Sequence, residues 1–129
     1  MAELPLRSPL GRAIGLGSAK QGVEHWWLQR LTAIALVPLA LWFVAAIIAH
    51  AGADLGALHL WLGRPVPAIL MVLTLIATFY HAALGLQVVI EDYIHTELAR
   101  LGLLALMRLL CSALAVAGIV AVIRLALAG

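Results

Sequence analysis

Charge is what this sequence has least of. Only 8 of its 129 residues are Lys or Arg and 6 are Asp or Glu, against 65% hydrophobic side chains and a mean hydropathy of +1.11. A water-soluble core of this size cannot enclose so much apolar surface, which excludes a soluble globular domain. Cysteine is nearly absent as well: Cys111 stands alone, so an intrachain disulfide is excluded and the thiol reads as a small core-facing residue of a helix. The chain has no Gly-rich phosphate loop after a strand, no Cys/His pair at zinc spacing, no nucleophile with a base beside it and no internal repeat. These absences point to a chain that is not an enzyme on its own.

What remains is long hydrophobic runs. About 20 apolar residues in helical form cross the roughly 30 Å hydrocarbon layer, and three stretches reach that length: about 31–49, 66–90 and 101–127. Backbone groups in lipid must be bonded inside their own segment or in a closed barrel, and these runs are continuous rather than alternating. The expected fold class is therefore all-α, an integral membrane protein with three transmembrane helices. Residues 1–20 read as an N-terminal tail carrying Arg7, Arg12 and Lys20, without the apolar core of a signal peptide. Residues 21–129 form the three-helix anchor domain. Arg108 and Arg124 fall near the ends of the third run, where long side chains can snorkel to the headgroups.

Orientation follows from the basic residues. With Arg30 added, the N-terminal flank is the most basic, Arg100 and Arg108 follow the second run, and the connection from His50 to Pro65 offers Arg64 alone. The positive-inside rule then places the N-terminus and the second connection in the cytoplasm and the first connection outside. Trp26, Trp27 and Trp61 fall at the expected interfaces, where amphipathic rings prefer to lie. The net charge of +2 is accounted for by topology, so membrane lipid rather than nucleic acid is the implied surface.

Among the five histidines, His25, His50, His59 and His95 sit where water or headgroups can hydrate them. His81 does not: counted back from Glu91 at 1.5 Å per residue, it lies about 15 Å inside the membrane. A polar side chain at that depth is costly and marks a functional site by default. Ala82 and Gly85 leave the helix surface low beside it, room for a flat partner. Neutral imidazole is a common axial ligand of haem iron; equally, His81 could bond a hydroxyl or carbonyl on a neighbouring helix. The helix alone leaves both open. No other histidine lies at the same depth, so a six-coordinate haem would need its second ligand from another subunit.

The second candidate is the end of the same helix. On an ideal helix Asp92 lies about 20° off the face of His81 and roughly 16 Å lower, with Tyr93 one step further. A phenol can donate to a carbonyl oxygen, and a carboxylate can accept a bond or hold a partner's cation. The pair suits a lipid-soluble quinone headgroup held at the interface. It is also what an aromatic belt beside solvated carboxylates looks like. Arg30, expected at the cytoplasmic start of the first helix, can likewise be a positive-inside residue and nothing more.

Two strings resemble one family. Gly22-Val23-Glu24-His25-Trp26-Trp27-Leu28-Gln29-Arg30-Leu31-Thr32-Ala33-Ile34 looks like the entry to the first helix of the hydrophobic membrane anchor subunit of succinate dehydrogenase, respiratory complex II. The second helix carries the matching signature of His81, Gly85 and Asp92-Tyr93-Ile94. The resemblance implies a small subunit of the bacterial inner membrane that pairs with a second three-helix cytochrome b anchor. The two would share one haem b and dock the iron-sulfur and flavoprotein subunits on the cytoplasmic face. It further implies His81 as axial ligand of the haem iron, Tyr93 as hydrogen-bond donor to ubiquinone, Asp92 as support for that site and Arg30 near the haem propionates. Glu24 stands where some members have a histidine that approaches a propionate; a carboxylate would repel one, which leaves His25 for that contact.

The implied function is the anchor of a succinate:quinone oxidoreductase in the tricarboxylic acid cycle and respiratory electron transport. Two alternatives use the same residues. One is an anchor or assembly protein without haem, in which His81 merely bonds a neighbouring helix. The other is a proton-coupled transporter relaying through His81 and Asp92, against which stands the lack of a broken helix or inverted repeat.

Overall fold

The computed structural model describes residues 18–128, with side chains from Gly22 onward; the tail at 1–17 lies outside the described residues. Four helices follow in order: α1 (Ser18–Ala49), α2 (Leu55–Leu62), α3 (Pro65–Tyr93) and α4 (Glu97–Leu127). Three are long and apolar enough to cross a membrane, over Gly22–Ala49, Pro65–Tyr93 and Glu97–Leu127. The expected three-span, all-α architecture is therefore present, in a multi-pass membrane protein.

Each helix outruns the apolar stretch that announced it. Backbone bonding continues past the hydrocarbon boundary, because an apolar run marks the lipid contact and not the end of the helix. Arg30, expected at the start of the first helix, accordingly lies well inside α1. Arg108, expected near the end of its span, lies 11 residues into α4, roughly 16 Å from its start. Its guanidinium donates to Gln87 Oε1 on α3 at 3.1 Å.

Local chemistry sets the boundaries. Gly52 takes φ +85° in the turn after α1, a left-handed conformation that glycine adopts without strain. The connection is not all loop, as the sequence suggested: Asp54 caps α2 by accepting from the Ala57 backbone N–H at 2.8 Å. At eight residues, α2 is too short for length-based detection of spans. Pro65 opens α3 at a position where the missing N–H costs nothing. Only Ile94, His95 and Thr96 separate α3 from α4, which makes those two spans antiparallel neighbours.

The three spans form an open row. α3 packs against α1 on one side and α4 on the other, while α1 and α4 do not touch among the described residues. The α3–α4 contact is close: a Cβ on Gly118 would meet the Leu75 methyl carbons at 3.1 Å, so a larger residue there would push the Leu75 side chain aside. Only Leu62, Thr74, Leu84, Met107 and Val122 are buried among the described residues, and Thr74 satisfies its own hydroxyl on the Leu70 carbonyl at 2.7 Å. Many large Ile, Leu and Val side chains are exposed. In water this would be an aggregate; in lipid such surface costs nothing, and helix association rests on close packing and hydrogen bonds.

Candidate functional site

His81 faces α1. Its Nδ1 lies 2.9 Å from Thr32 Oγ1, the bond that joins the two spans at membrane depth. Thr32 sits ten residues after Gly22 and His81 twelve before Tyr93, so each lies some 15 to 18 Å from the same end of its span. Nε2 of His81 makes no hydrogen bond with the described residues, and the ring is half-buried. One turn on, a Cβ built on Gly85 meets no atom within 4 Å. Imidazole thus stands beside open space on a low stretch of helix, with one nitrogen tied and the other free.

The ligand role and the helix-bonding role are alternatives in the sequence; the bond to Thr32 occupies Nδ1 alone and leaves Nε2 without a partner among the described residues. Thr32 is the residue that sequence reasoning did not single out. A lone hydroxyl in an apolar run is a weak signal, because its partner depends on how two helices cross and on their relative depth.

Toward the same end of the row, Arg30 lies over the Trp26 ring at 4.2 Å from its centroid, a cation–π contact one helical turn apart. Trp26 and Trp27 form an edge-to-face pair at 5.1 Å and 86°. His25 is half-buried, and its Nε2 is enclosed without a hydrogen-bond partner among the described residues. Glu24 is exposed beside it.

Asp92 and Tyr93 close α3. Both are exposed, Tyr93 at 76%, and neither makes a side-chain hydrogen bond with the described residues. Glu91 differs: it accepts from Gln87 Nε2 at 2.8 Å, and Gln87 Oε1 accepts from Arg108. That chain runs along the α3–α4 side, where Tyr80, Gln87, Arg108, Cys111 and Ser112 line a groove of about 420 Å³. Cys111, expected to be core-facing, is half-buried in that groove and free. The Thr32–His81 pair lies on the α1 side of α3. Asp92 and Tyr93 are thus at the end where His25 and Arg30 also gather, but they are not in contact with His81.

The donor set fits a porphyrin iron better than a bare ion. Among the described residues no group of three or more His, Cys, Asp or Glu side chains is placed to hold a metal. A single imidazole with a free nitrogen and open space one turn away is an arrangement that a flat, iron-bearing group would complete.

Comparison with known proteins identifies the family. The model of the succinate dehydrogenase/fumarate reductase transmembrane subunit family matches residues 5–123. A succinate dehydrogenase hydrophobic membrane anchor subunit of Rickettsia bellii is 41% identical over 116 residues, covering 90% of this chain and 93% of that protein. A protein of the same name in Paracoccus denitrificans is 34% identical, covering 67% of each chain, and a succinate dehydrogenase membrane anchor subunit of Reclinomonas americana is 32% identical, covering 70% of this chain and 78% of the relative. No solved structure matches the chain closely enough to add to this. A family match across nearly the whole chain, joined to three helices long and apolar enough to span a membrane, places this protein in the succinate dehydrogenase/fumarate reductase transmembrane subunit family, as a non-catalytic hydrophobic membrane anchor.

Proposed function

We propose that this anchor supplies one half of a b-type haem site through His81 and part of a ubiquinone site through Tyr93 and Asp92. Its complex would be a succinate:quinone oxidoreductase of the bacterial inner membrane, serving the tricarboxylic acid cycle and respiratory electron transport. The observation that carries this reading is the state of His81: Nδ1 is held by Thr32 at 2.9 Å while Nε2 is left without a partner beside the open surface of Gly85.

His81 Nε2 would hold the iron as a neutral imidazole ligand. Arg30 would offer a fixed positive charge to the propionates, and His25 a second donor. When bound, the haem would supply a one-electron carrier at membrane depth. A second protein ligand would come from a second three-helix cytochrome b anchor, because this chain has no other histidine at that depth.

Tyr93 would donate its phenolic hydrogen bond to a quinone carbonyl oxygen, and Asp92 would orient that site or pair with a partner's cation. Their exposure at a helix end suits residues completed by another subunit. The basic flanks favour an N-terminus in the cytoplasm, which puts Asp92 and Tyr93 on the side where iron-sulfur and flavoprotein subunits would deliver electrons.

Purification of the complex through this chain tests the assembly and the haem together. Mass spectrometry should find the flavoprotein, iron-sulfur and second anchor subunits, and the complex should show b-type absorption. His81→Ala in an assembled complex should abolish or alter that absorption and shift its potential. An unchanged spectrum would remove His81 from the iron and leave its bond to Thr32 as a helix contact.

A further inference from the structure

The hydroxyl of Thr32 decides which nitrogen of His81 carries the proton. Oγ1 lies 2.8 Å from the Leu28 carbonyl oxygen, 3.0 Å from that of Gln29 and 2.9 Å from His81 Nδ1. A hydroxyl holds one proton, and carbonyl oxygens only accept. Were that proton given to His81 Nδ1, two carbonyl oxygens would face Oγ1 at hydrogen-bonding distance with no proton between them. The contacts close in one way: Thr32 donates to the carbonyls of its own helix and accepts from His81 Nδ1–H. Imidazole then carries its lone pair on Nε2, the nitrogen without a partner.

From this we infer that Thr32 is the positioning residue of the axial ligand: it selects Nε2 as the ligating nitrogen and fixes the plane of the ring. The inference rests on the haem reading above. Back-bonding to Leu28 and Gln29 pins the hydroxyl to the α1 backbone, so the acceptor presented to His81 is set by a helix and not by a mobile side chain. A ligating histidine whose second nitrogen donates to a fixed acceptor is a stronger donor to the metal. It follows that α1, though it would supply no iron ligand itself, would set the donor strength of His81 on α3.

The test uses the complete purified complex and four forms of this chain: wild type, Thr32→Val, Thr32→Ser and His81→Ala. Thr32→Val keeps the branched shape but removes the acceptor. It should weaken haem retention against a competing apoprotein by about 10- to 100-fold, the usual cost of losing such an outer partner. It should also move the haem midpoint potential to a more positive value, because a weaker imidazole donor stabilises ferric iron less, and shift the ferric low-spin resonance. Thr32→Ser restores the hydroxyl and should restore all three readouts. Wild-type retention, potential and resonance in Thr32→Val would overturn the inference, as would a serine variant that behaves like valine.

If Thr32→Val prevents assembly, the wild-type complex still decides: the quadrupole coupling of the remote nitrogen of the iron-bound imidazole should report a hydrogen-bonded N–H, and a free N–H would overturn the inference. Retention of the b-type spectrum in His81→Ala would instead sink the haem reading itself. Loss of that spectrum in His81→Ala, with a silent Thr32→Val, would sink only the role of Thr32.

Discussion

At the end of the row formed by the first connection, the polar rings are tied into the chain. His50 Nδ1 donates to the Ala46 carbonyl at 2.8 Å and His59 Nδ1 to that of Leu125 at 2.9 Å. Trp61 stacks on Trp42 at 6.1 Å and lies 4.2 Å from the His50 ring. The opposite end is left unfinished by the described residues: His25 Nε2 has no hydrogen-bond partner among them, and Tyr93 is 76% exposed. One end is a lid made by the chain for itself, and the other carries polar groups that no described residue satisfies.

The largest effect that could break this contrast is all-or-none. In a Cys111→Ser background, cysteine at Ala57 on α2 should be labelled by an impermeant reagent added outside, while cysteine at Thr96 should not, since the basic flanks put those exposed positions on opposite sides. The reverse pattern would turn the unfinished end away from cytoplasmic electron donors.

Next in size is Tyr93→Phe. The ring and its packing stay, and only the hydrogen bond to the quinone carbonyl is lost, about 0.5 to 1.5 kcal/mol net. Quinone reduction should fall from about twofold to somewhat over tenfold at unchanged complex abundance, while succinate oxidation by a soluble acceptor upstream should persist. Asp92→Asn should move quinone reduction in the same direction by less, because an exposed carboxylate contributes little unless a partner encloses it. Wild-type quinone rates in both variants would make this end an aromatic belt and a solvated helix terminus.

The contrast between the ends also marks what the sequence could reveal. The spans are legible because twenty apolar residues can satisfy their backbone in lipid in one way only, and His81 is legible because its cost at depth does not depend on its neighbours. The ends of the helices are not: residues 22–30 are helical although their composition is mixed, and Arg30 is therefore carried inside α1. Nor is α2, whose eight residues lack a spanning signal and whose start is fixed by a single cap at Asp54. Thr32 facing His81 is the pairing least accessible to sequence, for it depends on which helices of the row touch, and α3 in the middle could have turned His81 toward α4 instead.

The smallest expected effect probes the finished end. His59→Ala removes the ring that donates to the Leu125 carbonyl and thus one tie between α2 and the last turn of α4. Such a bond is worth about 0.5 to 1.5 kcal/mol net, and at a membrane interface water can replace it on the freed carbonyl, which favours the lower figure. The thermal midpoint of the purified complex should drop by a few degrees at most. Haem absorption and quinone reduction should stay at wild-type values, because the ring lies at the far end of α4 from the start of α1 and the end of α3, where the proposed chemistry gathers. A variant that kept its thermal midpoint but lost quinone reduction would show that the two ends are coupled through the row, most directly by α4 sliding along the close Gly118–Leu75 contact. The lid would then be part of the site rather than its structural opposite.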